Sequence, residues 1–151
     1  MLILKSIQAD LERERTGDWV ESRQWPGVRF RVCALTKPAY EIKRDELAQR
    51  LARQSKGKPQ SKEKMAPHLA KLYCSEILSG WDGIDIPYSP ETALEVLSDP
   101  AYRELVAEIE YCAGTLSNVE ADYLEAELGK SESPSAPSSK NAVKNPTSSA
   151  T

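Results

Sequence analysis

Residues 77–100 constrain the fold more than any other part of the chain, because they combine two glycines with two capping pairs. Gly80 and Gly83 are able to adopt positive φ and are expected to end the preceding helix. The Trp-Asp-Gly sequence at Trp81 is interpreted as a turn with an exposed-looking tryptophan, followed by a short extended piece. Pro87 favours extended backbone in the residue before it.

Two helix starts follow that turn in quick succession. Ser89 is a good N-cap, and Pro90 then occupies the first helical position, where proline is favoured. Glu91 adds negative charge where the helix dipole stabilises it. Asp99-Pro100 repeats the arrangement ten residues later. The pattern predicts a short helix over 90–97 and a longer one over 100–114.

The N-terminal part of the chain has the pattern of β-structure. Thr16-Gly17-Asp18 and Trp25-Pro26-Gly27 are predicted turns, and a strand is expected to begin at Trp19. Residues 28–33 alternate apolar and basic side chains at period two, which is typical of a half-buried strand. The inward face would hold Val28, Phe30 and Val32, and the other face would carry Arg29 and Arg31.

Three further helices are predicted over 38–53, 67–79 and 117–128. The first places Tyr40, Ile42, Leu47 and Leu51 near helical spacing. Pro67 is expected to open the second helix after a polar, basic loop.

The predicted fold is therefore α+β and mainly α. A small N-terminal β-hairpin or sheet over 1–36 would precede a helical bundle over 37–129, together forming a single domain. After Gly129 the sequence is almost entirely Ser, Pro, Ala, Asn, Lys and Thr, which predicts a disordered tail over 130–151.

The net charge of −3 conceals a strong asymmetry along the chain. Residues 1–67 hold 15 Lys and Arg against 9 Asp and Glu, whereas residues 68–129 hold 2 against 13. Opposite charges on one chain favour complementary contacts, either within the molecule or head-to-tail between copies. Self-association is therefore one expectation.

The composition favours no membrane span and no disulfide. No apolar run approaches the roughly 18 residues that a membrane helix needs, so we expect a cytoplasmic protein without membrane contact. Cys33, Cys74 and Cys112 are far apart and lack a C-x-x-C motif. They are interpreted as small buried apolar residues rather than disulfide or zinc ligands.

The sequence contains no recognisable catalytic constellation. His68 is the only histidine, and no glycine-rich phosphate motif is present. Asp82 and Asp85 are too few for a calcium loop. We expect no enzymatic activity, no cofactor and no metal. The helical carboxylates are interpreted as solvated rather than catalytic; they are Glu91, Glu95, Glu104, Glu108 and Glu110.

The pattern over 73–106 resembles the tail assembly chaperones of long-tailed, siphovirus-type bacteriophages. It consists of I-L-x-G-W-D-G, then Y-S-P-E-x-A-L-x-x-L-x-D-P, then a helix. The likeness extends over about residues 15–129, with W-x-E-S and V-R-F-x-V near the start and Y-x-x-x-R-x-x-L-A-x-x-L in the first long helix.

The resemblance implies a chaperone of the host cytoplasm that is absent from the mature virion. It implies two partners, the tape measure protein, which the chaperone keeps soluble, and the tail tube protein, whose subunits it recruits. A ribosomal frameshift is also common in the family, and Leu128-Gly129-Lys130 is a candidate site for it. The expected partner-binding residues, which also suit a core, are Trp81, Asp82, Tyr88, Leu94, Leu97, Leu105 and Ile109.

Two alternatives stay open, a structural head-tail connector and a small phage-encoded nucleic-acid-binding or regulatory protein. The second would use the basic half, in which Arg29 and Arg31 flanked by Trp25 and Phe30 resemble a stacking platform. The equally strong acidic half would repel phosphate, so nucleic acid is the less favoured partner. The basic residues that could follow a nucleic-acid backbone are Arg50, Arg53, Lys56, Lys58, Lys62 and Lys64.

Overall fold

The computed structural model describes residues 1–123, which group into two compact units. The larger unit is Ala9–Asn118, and the other includes Met1–Gln8 together with 119–123. The fold is α+β and mainly helical, as predicted. In chain order the elements are α1 (Leu11–Thr16), β1 (Asp18–Glu21), β2 (Arg29–Val32), α2 (Pro38–Gln54), α3 (Lys62–Glu76), β3 (Leu78–Asp82), α4 (Pro90–Ser98) and α5 (Arg103–Leu116).

The three strands form one antiparallel sheet in the order β1-β2-β3. Strand β2 confirms the alternating pattern, since Phe30 and Val32 are fully buried and Arg29 is exposed. In the register of the sheet, Phe30 lies opposite Val20 on one side and Trp81 on the other. The row Val20, Phe30 and Trp81 on the inner face of the sheet is thus apolar across all three strands.

The third strand was not predicted, because its residues had been interpreted as a helix end and a turn. α3 ends at Glu76, and the Cys33 N–H then donates to the carbonyl oxygen of Ile77 at 2.9 Å. Gly80 consequently lies within a strand without a positive φ, and the expectation that it ends the preceding helix is wrong. Gly83, just after the strand, does adopt a positive φ of 84°.

α2 confirms the predicted helix with one error in its core face. Tyr40, Leu47 and Leu51 are buried, whereas Ile42 is 58% exposed. A step of two residues along an α-helix changes the direction of the side chain by about 200°, so Ile42 cannot share the face of Tyr40.

α3 begins five residues earlier than predicted. The Ser61 side chain caps it by accepting a hydrogen bond of 3.3 Å from the Lys64 N–H. Pro67 therefore lies inside the helix rather than at its start. The cap and the packing of α3 outweigh the one backbone hydrogen bond that the proline cannot donate.

The predicted starts of α4 and the following helical segment are confirmed. The Thr92 N–H donates to the Ser89 hydroxyl oxygen at 3.0 Å, which caps α4. Asp99 accepts from the Ala101 N–H at 2.9 Å and opens a 3-10 turn that leads into α5. In the core, α5 packs against β1 and β2, while α3 packs against β3 and α4.

The unit formed by the two terminal segments is held by backbone pairing. The Ile3 N–H donates to the Asp122 carbonyl oxygen at 3.0 Å, and the Asp122 N–H donates to the Ser6 hydroxyl at 2.7 Å. Leu2 and Tyr123 form an antiparallel bridge. The helix predicted over 117–128 is therefore wrong over 117–123. Its remainder, the end of the predicted domain at 129, the frameshift site and the tail over 130–151 lie outside the described residues.

No helix within residues 1–123 is long and apolar enough to cross a membrane.

Candidate interaction surfaces

The seven residues expected to bind a partner are divided between the core and the surface. The buried ones meet a partner only if the core opens, so the exposed ones are the immediate candidates. A partner-binding role for any of them stays a prediction. Trp81, Leu97 and Ile109 are buried, Tyr88 and Leu105 are half-buried against the core, and Asp82 and Leu94 are exposed.

Trp81 closes the core at the end of the sheet. Its side chain is 7% exposed, and its indole N–H donates to the Ile86 carbonyl oxygen at 2.8 Å. The Tyr88 ring meets the indole edge-on, with 5.3 Å between ring centroids. The connection between β3 and α4 is therefore folded around this ring.

The other side of the sheet carries polar side chains and one exposed aromatic ring. We call the residues of this side the open sheet face; they are Trp19, Glu21, Arg29, Arg31, Gly80 and Asp82. Trp19 is 38% exposed, and its ring reaches across β2, so that a Cβ on Gly80 would lie 3.4 Å from it. Only a residue as small as glycine or alanine leaves room for the ring there.

The open sheet face has mixed charge. The Arg29 guanidinium lies 4.6 Å from the centroid of the Trp19 ring and pairs with Asp82 at 3.3 Å. Glu21 is the cross-strand partner of Arg29 on the other side. The stacking platform suggested for nucleic acid is wrong in one member, because Phe30 is fully buried. The exposed ring beside the arginines is that of Trp19.

The turn between α2 and α3 forms an open groove at its base. The groove has a volume of about 220 Å³ and an apolar floor that includes Leu51 and Met65. Lys56 and Gly57 adopt positive φ in this turn. We call this feature the basic groove; its lining residues are Ala48, Leu51, Ala52, Ser55, Gly57, Lys58, Gln60 and Met65.

Lys58 is the one charged residue that lines the basic groove, and further lysines and arginines lie close to the lining residues along the chain. None of the ion pairs among residues 1–123 involves Lys58 or any other lysine or arginine of residues 50–64. An anion approaching the groove would therefore meet Lys58, which forms no ion pair among the described residues. Besides Lys58 in the lining, the cations of this part of the chain are Lys56 in the turn, Arg50 and Arg53 near the end of α2, and Lys62 and Lys64 in the first turn of α3.

α4 carries the opposite charge on its outward side. Glu91, Leu94 and Glu95 are exposed, and their spacing places them on one side of the helix. Leu94 is 36% exposed, so an apolar side chain stands between two carboxylates. We call these three residues the α4 acidic face.

Glu108 is a buried carboxylate that the sequence interpretation placed in solvent. It is 1% exposed and accepts hydrogen bonds of 2.8 Å from the Ser22 hydroxyl and from the Arg23 N–H. Burial alone would raise the pKa of Glu108, but these hydrogen bonds outweigh it and leave the pKa lowered. A general acid needs a raised pKa, so this carboxylate is arranged as an anchor. The sequence did contain a signal for this burial, because Glu108 lies one helical turn before Cys112, on the buried side of α5.

The cysteines follow their prediction as apolar residues. Cys33 and Cys112 are buried and Cys74 is half-buried, all as free thiols. Burial raises the pKa of Cys112 to about 11, so its thiol stays protonated at neutral pH. Across residues 1–123, no three His, Cys, Asp or Glu side chains are grouped to hold a metal ion.

The paired terminal segments carry a second apolar surface. Leu4 is 76% exposed, and an open groove of about 540 Å³ is lined by Leu4, Lys5, Ile7 and Gln8. Besides Met1, these segments have six exposed large apolar residues, which we call the terminal apolar surface; they are Leu2, Ile3, Leu4, Ile7, Val119 and Tyr123.

The fold defines a small, mainly helical α+β protein with a three-stranded antiparallel sheet. Residues 35–130 match the family model of the YdaY prophage protein, which covers more than half of the chain. The chain therefore belongs to the YdaY prophage protein family and is phage-derived. A search of curated proteins and a search of solved structures gave no significant match.

Proposed function

We propose that the protein is a non-catalytic tail assembly chaperone of a phage. It would bind the tape measure protein and recruit tail tube subunits in the host cytoplasm without entering the mature virion. Its membership of a prophage family and the resemblance of residues 73–106 to such chaperones support this proposal. The observation that carries it is the terminal apolar surface.

The terminal apolar surface suits an amphipathic helical client. Single exposed apolar side chains are common on proteins, but a concentration of them marks an interaction site. Here six large apolar side chains stand exposed on two short paired segments, and hydrogen bonds such as that from Ile3 to Asp122 fix the backbone. A client helix laid on this surface would bury apolar area worth about 25 cal/mol per Å².

Lys5 and Gln8 line the same groove and supply polar atoms at its rim. Each binding event would bury little area and be weak. Many copies along one long client would nevertheless cover it, because neighbouring sites on a single chain raise the effective concentration.

Co-expression tests the proposal directly. The full chain is expressed with a fragment of the tape measure protein encoded by the same prophage, and the soluble fraction of the fragment is measured. The chain should raise that fraction several-fold, and Leu4→Asp should abolish the gain. Ile42→Asp is the matched control, since Ile42 is also an exposed apolar residue but lies on α2.

Two results would contradict the proposal. The first is a client that pellets equally with and without the chain. The second is a soluble fraction that stays as high with Leu4→Asp as with Ile42→Asp, which would place the binding outside the terminal apolar surface.

The two alternatives give different readings in simple assays. A structural connector would copurify with finished virions, whereas the proposed chaperone should be absent from them. Nucleic-acid binding has some support from Trp19 and the two arginines beside it, but Glu21 and Asp82 would repel phosphate there. We therefore expect that fluorescence anisotropy with a labelled single-stranded oligonucleotide shows no binding. Binding that is lost in Trp19→Ala would favour the nucleic-acid alternative.

A further inference from the structure

We propose that the basic groove of one copy binds the α4 acidic face of a second copy, so that the chain associates head-to-tail. The occupant is thus a second molecule of this protein. The inference is independent of the proposed chaperone function, because it involves neither a client nor the terminal apolar surface.

The two surfaces are complementary in charge and shape. The basic groove has an apolar floor and one lining cation, Lys58, which has no ion-pair partner among the described residues; Lys62 follows four residues later, at the start of α3. The α4 acidic face presents Leu94 between Glu91 and Glu95. The groove is open to solvent, with a volume of about 220 Å³ above Leu51 and Met65, so a leucine side chain can lie against its apolar floor.

The same contact is not made within one copy. None of the three residues of the α4 acidic face lines the basic groove, and α4 packs against α3 on its buried side through Ala93 and Leu97. The two surfaces lie on different parts of Ala9–Asn118 and are both open. A contact between unlike surfaces is heterologous, so each added copy leaves a free groove at one end and a free acidic face at the other.

The association should be weak and sensitive to salt. One leucine in a small groove buries far less than the roughly 1,000 Å² of a stable interface. Exposed ion pairs supply the remaining attraction and are screened over about 10 Å at 0.1 M salt and about 3 Å at 1 M. Electrostatic complementarity would therefore set both the register and the salt dependence.

Sedimentation velocity of the full chain tests the proposal. The weight-average sedimentation coefficient should rise with protein concentration at low salt and fall back to the monomer value at high salt. Leu94→Ser should weaken the association at least about tenfold, because it empties the groove. Ile42→Ser is the matched control and should associate like the natural chain.

Charge reversal on the two surfaces provides the decisive test of the head-to-tail contact. The double variant K58E/K62E and the double variant E91K/E95K should each be monomeric, since each sets like charges against each other. An equimolar mixture of the two should associate again, because each groove then meets an oppositely charged face. Glu104→Lys controls for reversing a carboxylate in the first turn of a helix and should leave association unchanged.

The outcomes separate this inference from its rivals. A chain that stays monomeric at every concentration overturns it, as does association that survives both double variants. Failure of the mixture to associate, with both variants folded by circular dichroism, also overturns it. Leu4→Asp should leave self-association intact, so a failed chaperone assay and a failed association assay are distinguishable.

Discussion

The buried carboxylate of Glu108 accepts a 2.8 Å hydrogen bond from the Ser22 hydroxyl, which lies 86 positions earlier in the chain. The same hydroxyl oxygen accepts from the N–H groups of Gln24 and Trp25, each at 3.1 Å. Glu108 also accepts from the Arg23 N–H at 2.8 Å. One carboxylate on α5 thus organises the start of the connection between β1 and β2, which ties the sheet to the helix behind it.

Replacing Glu108 by alanine should destabilise the fold strongly. The Ser22 hydroxyl and the Arg23 N–H would lose their acceptor in a partly buried site, and hydrogen bonds to a charged group are worth about 1.5–3 kcal/mol. The free energy of unfolding from urea titration measures the effect. Glu104→Ala, at an exposed position of the same helix, should change it by less than about 0.5 kcal/mol. Equal midpoints for the two variants would refute the anchoring role.

The stability of the fold should fall in acid. Hydrogen bonding from Lys43 holds the pKa of Glu76 below its ordinary value of 4.5, against the opposing effect of burial and with further help from Lys37. A carboxyl group with a lowered folded pKa stabilises the fold above its unfolded pKa. That stability is lost as the pH falls through the folded pKa.

Glu76→Gln should therefore flatten the loss of stability below about pH 4.5, because the amide does not titrate. Urea titrations at a series of pH values measure the slope. Glu63→Gln, a change at an exposed position of the same helix, should leave the slope as in the natural chain. A slope unchanged by Glu76→Gln would show that other carboxylates govern the acid limit.

Local signals in the sequence predicted most of the elements, because each signal acts over a few neighbouring residues. Ser89 and Asp99 accept hydrogen bonds at the helix starts that their sequence neighbours indicated. The alternation around Phe30 gave the buried and exposed sides of β2 correctly. Helix α2 was predicted over almost its full length.

The errors arose where a partner distant in sequence decided the outcome. Leu78–Asp82 is a strand because β2 pairs with it, and its own residues give no strong β signal. Glu108 is buried because Ser22 and Arg23 satisfy its oxygens. The interaction surfaces could not be predicted from the sequence either. Leu94 is exposed and Leu97 is buried because of the way in which α4 packs against α3.

The two glycines around Trp81 should respond oppositely to alanine. A Cβ at Gly83 would lie 2.2 Å from the Gly27 carbonyl oxygen, and the φ of 84° disfavours any other residue. A Cβ at Gly80 would make ordinary contacts, 3.4 Å from the Trp19 ring. Gly83→Ala should therefore lower the free energy of unfolding by more than about 1 kcal/mol. Gly80→Ala should leave it unchanged or raise it by up to about 1 kcal/mol.

Chemical denaturation of both alanine variants measures this difference. The Trp19 fluorescence environment offers a second readout, because Gly80, unlike Gly83, lies against that ring. A stable Gly83→Ala variant would mean that the connection after β3 rearranges without cost, which the close approach to Gly27 argues against.

Trp81 and Trp19 form a matched pair for separating core packing from surface recognition. Trp81→Ala should cost about 3–5 kcal/mol, because it removes a ring that is 7% exposed and packs edge-on against Tyr88. Trp81→Phe should cost less, since it keeps an aromatic ring and loses mainly the hydrogen bond to Ile86. Trp19→Ala removes a ring that is 38% exposed and should cost about 1 kcal/mol or less.

Thermal melting of these three variants, alongside the client co-expression assay, decides between a packing role and a direct binding role for Trp81. A packing role requires a large drop in the melting temperature, with client binding lost only as the fold is lost. If Trp81→Ala melted like the natural chain and still failed to keep the client soluble, the indole would be a partner contact. Its hydrogen bond to Ile86 and its burial against Tyr88 favour the first result.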